Sequence, residues 1–414
     1  MTTIVWKAIS IPPIARSLLW ACLLALTSLL FLLPTRLAPD SSPVQFLTSF
    51  ENQVLFGIVY YIWLSLLLLL LVAPGSQGSH EWDKLILVCL FGLVTFGYWV
   101  ASTQGYYGEL FPYASQLDYL METGKAGSYN TLTGNEFPGM PFLASFLRQA
   151  TGLETFDAIA SFLIFQSVLF AALLYILFRN SLGDARLAAL AALLAIAGGA
   201  ELVKFIPQFM PRGYGLVLLT LLLAVANGGG QTFLSRWQTR LMFIIVFAAL
   251  TLTHLVTAVA AFLVLLGIYL TQQLGRGSLV TLNILHLCVA VIFAWELYYA
   301  VVTFDDLALR IPHSIELLRR GEILSPQVAS MAGASLGGLV PIWARITRYF
   351  WLILIVFLGG LVGARNLIGV RRLDPVEKIE TGGLVGIGIL FLATSLLSSG
   401  IDSVRVLLYA PLFT

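Results

Sequence analysis

Asp118 and Glu122 stand four residues apart in Asp118-Tyr-Leu-Met-Glu122, a spacing that on a helix puts two carboxylates on one face. Such a pair can take the proton of an attacking hydroxyl, hold a hard divalent cation through oxygen, or simply be solvated. Glu136 follows in Asn135-Glu-Phe-Pro-Gly-Met-Pro141, which reads as a structured turn leading into an amphipathic helix, 141–150, lying along a membrane interface. His254 ends the segment Thr251-Leu-Thr-His254, where a neutral ring can donate to a phosphate, bind a metal or cap a helix. Arg348, Arg405, Lys204 and Arg212 lie at or near the ends of apolar runs. Arginine offers a planar fork of donors matched to phosphate oxygens and stays charged, so this set suits a lipid phosphate; snorkelling to headgroups is the competing role.

Glu296 sits in the outer half of an apolar stretch, between Trp295 and Tyr298-Tyr299. An ionisable group at membrane depth is costly and points to function, while the aromatic neighbours mark an interface where that cost falls. His286, deeper in the same stretch, reads as a helix-packing residue. Asp305, Asp306, Arg310, His313, Glu316, Arg319 and Arg320 fall on a stretch that can form an interfacial helix, either a lid over a bound donor or a solvated face. Asp118, Glu122, Glu136 and His313 carry donors suited to magnesium or manganese, but no short ligand signature joins them, so the metal is left open. Gly333-Ala-Ser335-Leu-Gly337 matches a hydrolase elbow in letters alone, without the strand-to-helix setting it needs. A Gly-rich phosphate cradle, His-Glu-x-x-His and Cys-x-x-Cys are all missing, which argues against a soluble nucleotide-sugar donor.

The elements that must position these groups follow from composition. Of 414 residues 59% are apolar and 11% charged, and the mean hydropathy is +0.91. No water-soluble core can hide that fraction, so a bilayer must be the solvent for most of it. The net charge of +2 is too near zero to suggest a nucleic-acid partner, and the acids and bases are spread singly rather than in runs. Cys22, Cys89 and Cys288 all lie in apolar stretches, with neither disulfide nor zinc spacing. Crossing the hydrocarbon takes about 20 residues of helix. Apolar runs near 17–34, 53–73, 85–101, 157–178, 187–200, 214–227, 241–253, 256–272, 280–303, 349–364 and 383–399 predict eleven crossings, and Val406–Thr414 begins a twelfth that stops short, as in a chain cut inside its protein.

The apolar stretch 241–272 is long for one helix and is broken at Thr251–His254, which predicts two short helices meeting at a tight turn. Lys and Arg divide almost evenly between the faces, but the connections on the N-terminal side total roughly half the residues of the others. Their density therefore puts the N-terminus in the cytoplasm. Two long connections, about 102–156 and 304–348, then fall together on the outer face. The fold predicted is a single all-α transmembrane domain over 1–414, a polytopic bundle of eleven to twelve helices with interfacial helices in two long outer loops.

In sequence, Glu109, Asp118-Tyr-Leu-Met-Glu-Thr-Gly and Phe137-Pro-Gly-Met-Pro resemble the first outer loop of integral membrane glycosyltransferases of the GT-C class, prokaryotic members above all. Further similar pieces are Pro207-Gln-Phe-Met-Pro-Arg212, Thr251-Leu-Thr-His254 and Ser403-Val-Arg405-Val-Leu-Leu-Tyr-Ala-Pro. Two features depart from the family pattern: three apolar runs precede the acidic loop where many members have one span, and the soluble C-terminal domain of some members is absent or lost. The resemblance implies transfer of a sugar, with inversion, from a polyprenyl-phosphate donor to an acceptor on the extracytoplasmic face of a prokaryotic plasma membrane. It implies Asp118 as base or acceptor-positioning residue, and the physics of the reaction asks for cations on the phosphate side.

Two other functions fit the span number. A transporter or flippase of lipid-linked sugars would place charges at the midplane, often in two related halves, and no such repeat is visible. A surface-polysaccharide polymerase or ligase would instead rest on His313, Arg310, Arg319 and Arg320 of the second long loop.

Overall fold

The computed structural model describes residues 12–37, 50–73, 80–102, 107–125, 138–198, 206, 211–227, 237–274, 280–298, 300, 312, 316, 361, 363–366, 368 and 375–396. Every regular element among them is helical. In chain order these are α1 (Pro13–Leu37), α2 (Phe50–Val72), α3 (His80–Ser102), α4 (Tyr107–Thr123), α5 (Gly139–Thr151), α6 (Thr155–Leu182), α7 (Ala185–Gly198), α8 (Pro211–Asn227), α9 (Trp237–Thr253), α10 (Leu255–Leu274), α11 (Leu282–Tyr298) and α12 (Pro375–Leu396). The bounds of α1–α3 and α6–α11 follow the apolar runs to within about five residues, whereas α12 begins at Pro375, well before the run expected from 383, and α4 and α5 lie within the first long connection. Four stretches among the described residues are long and apolar enough to cross a membrane: Ile14–Phe31 in α1, Val54–Val72 in α2, Thr155–Leu182 in α6 and Leu255–Gln273 in α10. Shorter apolar helices account for α7, α8, α9 and α11. The second long connection and the last apolar run lie almost wholly outside the described residues, as does nearly all of 349–364.

Antiparallel packing of α3 on α6 forms the spine. Tyr175 Oη donates to the Glu81 carbonyl at 3.2 Å near one end, and further along the Phe96 and Phe170 rings lie 6.1 Å apart with Gly92 against Ala171 between them. Leucine, alanine and phenylalanine from α1, α2, α3, α6, α7, α8, α9 and α10 merge into one buried apolar cluster. A smaller one joins α4, α5 and α6 through Ala114, Leu117, Met140, Ala144, Ile159 and Phe162.

Charges gather where α1, α3 and α7 begin and α2 and α6 end. Arg16 pairs with Asp83, and Arg179 reaches Glu81 Oε1 through Nη2 at 2.5 Å and Nε at 3.1 Å. Lys84 is fully buried, and its Nζ donates to the carbonyls of Leu70 at 2.7 Å and Ala73 at 3.2 Å. Those carbonyls belong to the last turn of α2 and the residue after it, where the helix runs out of its own donors and its dipole favours a cation. One ammonium therefore ties the start of α3 to the end of α2.

At α10 and α12 the backbones themselves touch. A Cβ on Gly267 would run into the Gly382 carbonyl, and one on Gly382 or Gly386 into the backbone of Ile268 or Val264. Glycine is required there because nothing larger fits between two helices at that distance. Gly382→Ile is expected to cost about 1–3 kcal/mol or more through overpacking. The thermal midpoint of detergent-purified protein checks it, with Gly388→Ile as control, because a Cβ on Gly388 meets nothing within 4 Å.

Candidate functional site

The end of the bundle away from Arg16 and Arg179 begins with α6. Asp118 projects from α4 to the first residue of α6, and Thr155 Oγ1 donates to Asp118 Oδ1 at 2.5 Å. Arg148, in the last turn of α5, donates to the same oxygen through Nη1 at 2.7 Å. Two donors hold Oδ1 in place, and neither of these bonds uses Oδ2. The side chains keep 49% and 27% of their surface for Asp118 and Arg148, so solvent or a substrate can reach them.

Local sequence accounts for this placement. α5 stops at Gly152, whose φ of 70° is a left-handed conformation glycine adopts freely, and whose N–H closes the helix on the Arg148 carbonyl. Two residues later Glu154, in extended backbone, starts α6. The tight link brings Arg148 and Thr155 side by side, and Met140, Ala144 and Leu117 bury the seam behind them.

The other end of α5 rests on the junction of α9 and α10. A Cβ on Gly139 would collide with Thr253, so α5 begins directly on Leu252–Thr253. His254 is the single non-helical residue between α9 and α10, a break at the predicted place. Its N–H donates to the Leu250 carbonyl at 2.9 Å, and its carbonyl accepts from Ala258 at 3.1 Å. The imidazole Nδ1 lies 2.8 Å from Thr257 Oγ1 and accepts the Thr257 N–H at 3.3 Å, which makes His254 the N-cap of α10. An accepting Nδ1 leaves the ring proton on Nε2. Burial, helped by the charge of Arg212 on the first turn of α8, pushes the His254 pKa down to about 4, so the ring is neutral at pH 7. Gly215 packs against His254 and Thr257, and the neighbouring Tyr214 ring lies 5.5 Å from Phe162 of α6.

Asp118 and the His254–Arg212 corner thus occupy one end of the bundle but not one contact shell. The nine residues from Gly139 to Arg148 set them roughly 13 Å apart along α5. Glu122 is exposed one turn beyond Asp118, and Glu296 is buried near the end of α11. Lys204, Glu136, Arg310, His313, Arg348 and Arg405 lie outside the described residues. Among the described residues no three His, Cys, Asp or Glu side chains gather as a metal site would need. Comparison with protein-family models and with curated proteins found no match.

Arg148 and Thr155 are the residues that reading the sequence did not single out. Arg148 carried a usable signal, since it is the one base between Lys125 and Arg179 and falls near the end of an amphipathic segment. Thr155 carried none, because an N-terminal threonine is an ordinary helix start.

A lowered histidine pKa makes a signed prediction. The unfolded chain takes up a proton near the ordinary 6.5 and the folded chain only near 4, so this group's contribution is intact above pH 6.5 and is lost as pH falls between those values. His254→Asn keeps a capping acceptor and removes the titration, so its thermal midpoint should fall less than wild type between pH 7.5 and 4.5. His254→Ala should cost about 1 kcal/mol at pH 7.5 through the lost cap.

Proposed function

We propose that the chain is a membrane glycosyltransferase of the GT-C type, moving a sugar from a polyprenyl-phosphate donor to an acceptor at the extracytoplasmic face. The observation that carries this reading is Asp118, held by Arg148 and Thr155 at the far end of a spanning helix from the Arg16–Asp83 and Arg179–Glu81 pairs. Along α6 the step from Thr155 to Arg179 is about 36 Å, which spans a hydrocarbon layer of about 30 Å with a polar group at each rim. The Arg16 end is the cytoplasmic one on the density of bases, and Asp118 then belongs to the outer leaflet. The full count of eleven to twelve crossings and the N-terminus in the cytoplasm of a prokaryotic cell belong to the same reading.

The chemistry follows from the residue types. The acceptor hydroxyl oxygen attacks the anomeric carbon, and the bond from that carbon to the phosphate oxygen breaks with its electron pair, releasing polyprenyl phosphate. The hydroxyl proton passes to Asp118 Oδ2, since Oδ1 already accepts from Arg148 and Thr155. Negative charge grows on the departing phosphate, and Arg212 with the Nε2–H of His254 supplies donors at the other end of the site, roughly 13 Å along α5. Arg348, Arg405 and Lys204 are further cations in the sequence for that role, and Glu122 and Glu136 further acids for the acceptor side.

Purified protein in detergent should transfer sugar from a short-chain polyprenyl-phosphate sugar to acceptor. Asp118→Asn should lower turnover by about 10²–10⁴-fold while donor binding holds, because the carboxylate serves the attacking hydroxyl rather than the phosphate. Normal turnover in that variant ends the assignment of Asp118 as base. Arg212→Ala should do the opposite and weaken donor binding.

A further inference from the structure

The Arg148–Asp118 pair leaves two edges unused. Asp118 takes both of its donors on Oδ1, and among the described residues Oδ2 accepts nothing. Arg148 gives one of its five side-chain N–H groups, on Nη1, and among the described residues the other four donate to nothing. Both side chains keep open surface, yet neither swings freely. Thr155, itself buried, pins the carboxylate from the start of α6, and Leu117, Met140 and Ala144 fill the seam behind. An open acceptor oxygen and an open row of donors therefore stand side by side on a fixed base.

Charge narrows what can use them. Asp118 and Arg148 cancel, while the exposed groups nearest in the chain, Glu122, Glu154 and Asp157 against Lys125, leave the surroundings acidic. A phosphate or carboxylate is repelled by that surround, and a cation meets Arg148 on the very carboxylate it would need. A hydroxyl suffers neither, since it is neutral and both donates and accepts. One hydroxyl can serve the oxygen or the guanidinium edge, whereas two on neighbouring carbons can serve both at once. We infer that the acceptor in the proposed transfer is a neutral saccharide, read by this pair through hydroxyls on two adjacent ring carbons. The attacking hydroxyl donates to Asp118 Oδ2, and its neighbour accepts from the free N–H edge of Arg148. Arg148 is then a specificity-determining residue in contact with the acceptor as well as the support of Asp118. An acceptor with a single hydroxyl, such as a serine side chain or a fatty alcohol, leaves that edge empty. The inference rests on the transferase reading for the role of Asp118 and adds the class of acceptor to it.

Saturation-transfer difference NMR on the detergent-purified chain, with no donor present, tests this. The probes are the methyl α-D-pyranosides of glucose, galactose and mannose, each beside the uronic acid of the same sugar. At least one neutral glycoside should bind in the millimolar range, and more tightly than its uronic acid. Arg148→Lys keeps a cation on Asp118 but loses the planar fork, so it should weaken that binding about tenfold while the thermal midpoint holds. Binding by none of the three overturns the proposal. So does binding unchanged in Arg148→Lys, or a uronic acid that binds as tightly as its neutral sugar. Should Arg148→Lys fail to fold, monodeoxy analogues of the bound glycoside give the answer on the wild-type chain. Removing either of two hydroxyls on adjacent carbons should then weaken binding about tenfold, and a loss confined to one position or to none overturns the proposal. Saccharide binding without any transfer ends the transferase reading and leaves the saccharide site standing. Transfer to a simple alcohol with no saccharide binding does the reverse.

Discussion

A helix that leaves water must satisfy its backbone internally and keep its charges at its ends, and α6 shows that constraint at full length. Between Asp157 and Arg179 it carries no charged side chain; Ser167 turns back on the Leu163 carbonyl at 2.7 Å, and Gln166 donates across to the Ile206 carbonyl at 2.5 Å. Its two ends are where it meets charge, Thr155 on Asp118 and Arg179 on Glu81. Both contacts, one a hydrogen bond and one an ion pair, are made with helices that pack on it, so its length fixes the distance between two polar surfaces. The depth of every other element is set relative to that one.

Seen from α6, the molecule divides by role. Where α1, α3 and α7 begin, the charges close on one another and on helix ends: Arg16 with Asp83, Arg179 with Glu81, Lys84 with the carbonyls ending α2. That surface is spent on holding helices in register. At the other end Asp118 and Arg148 keep open surface, and His254 holds a neutral ring beside Arg212.

Much of this frame was legible in the sequence, and the limits are physical. Most helix positions followed from the apolar runs, although only four stretches among the described residues are long enough to cross a membrane, and the break at His254 followed from three polar residues interrupting a run too long for one helix. The amphipathic segment 141–150 appeared as α5, one or two residues longer at each end. Side-chain partners were not legible. Arg148 is 30 residues from Asp118, and it reaches that carboxylate because α5 packs on α4 through Leu117, Met140 and Ala144. Lys84 looked like one more interfacial base, whereas tertiary packing sealed it completely. For His254 the cap and the ligand were both open on sequence, and the structure uses Nδ1 for the cap while leaving Nε2–H for another contact. The second long connection, with Arg310 and His313, lies outside the described residues, so the polymerase reading keeps its residues only as sequence.

The sealing of Lys84 reaches beyond the frame it holds. Its ammonium has no surface to offer, so reagents that acylate primary amines have nothing to attack until α2 and α3 separate. Surface mapping by amine chemistry will read this rim as poorer in lysine than its composition, and the late arrival of a tag at residue 84 will time the parting of the two helices.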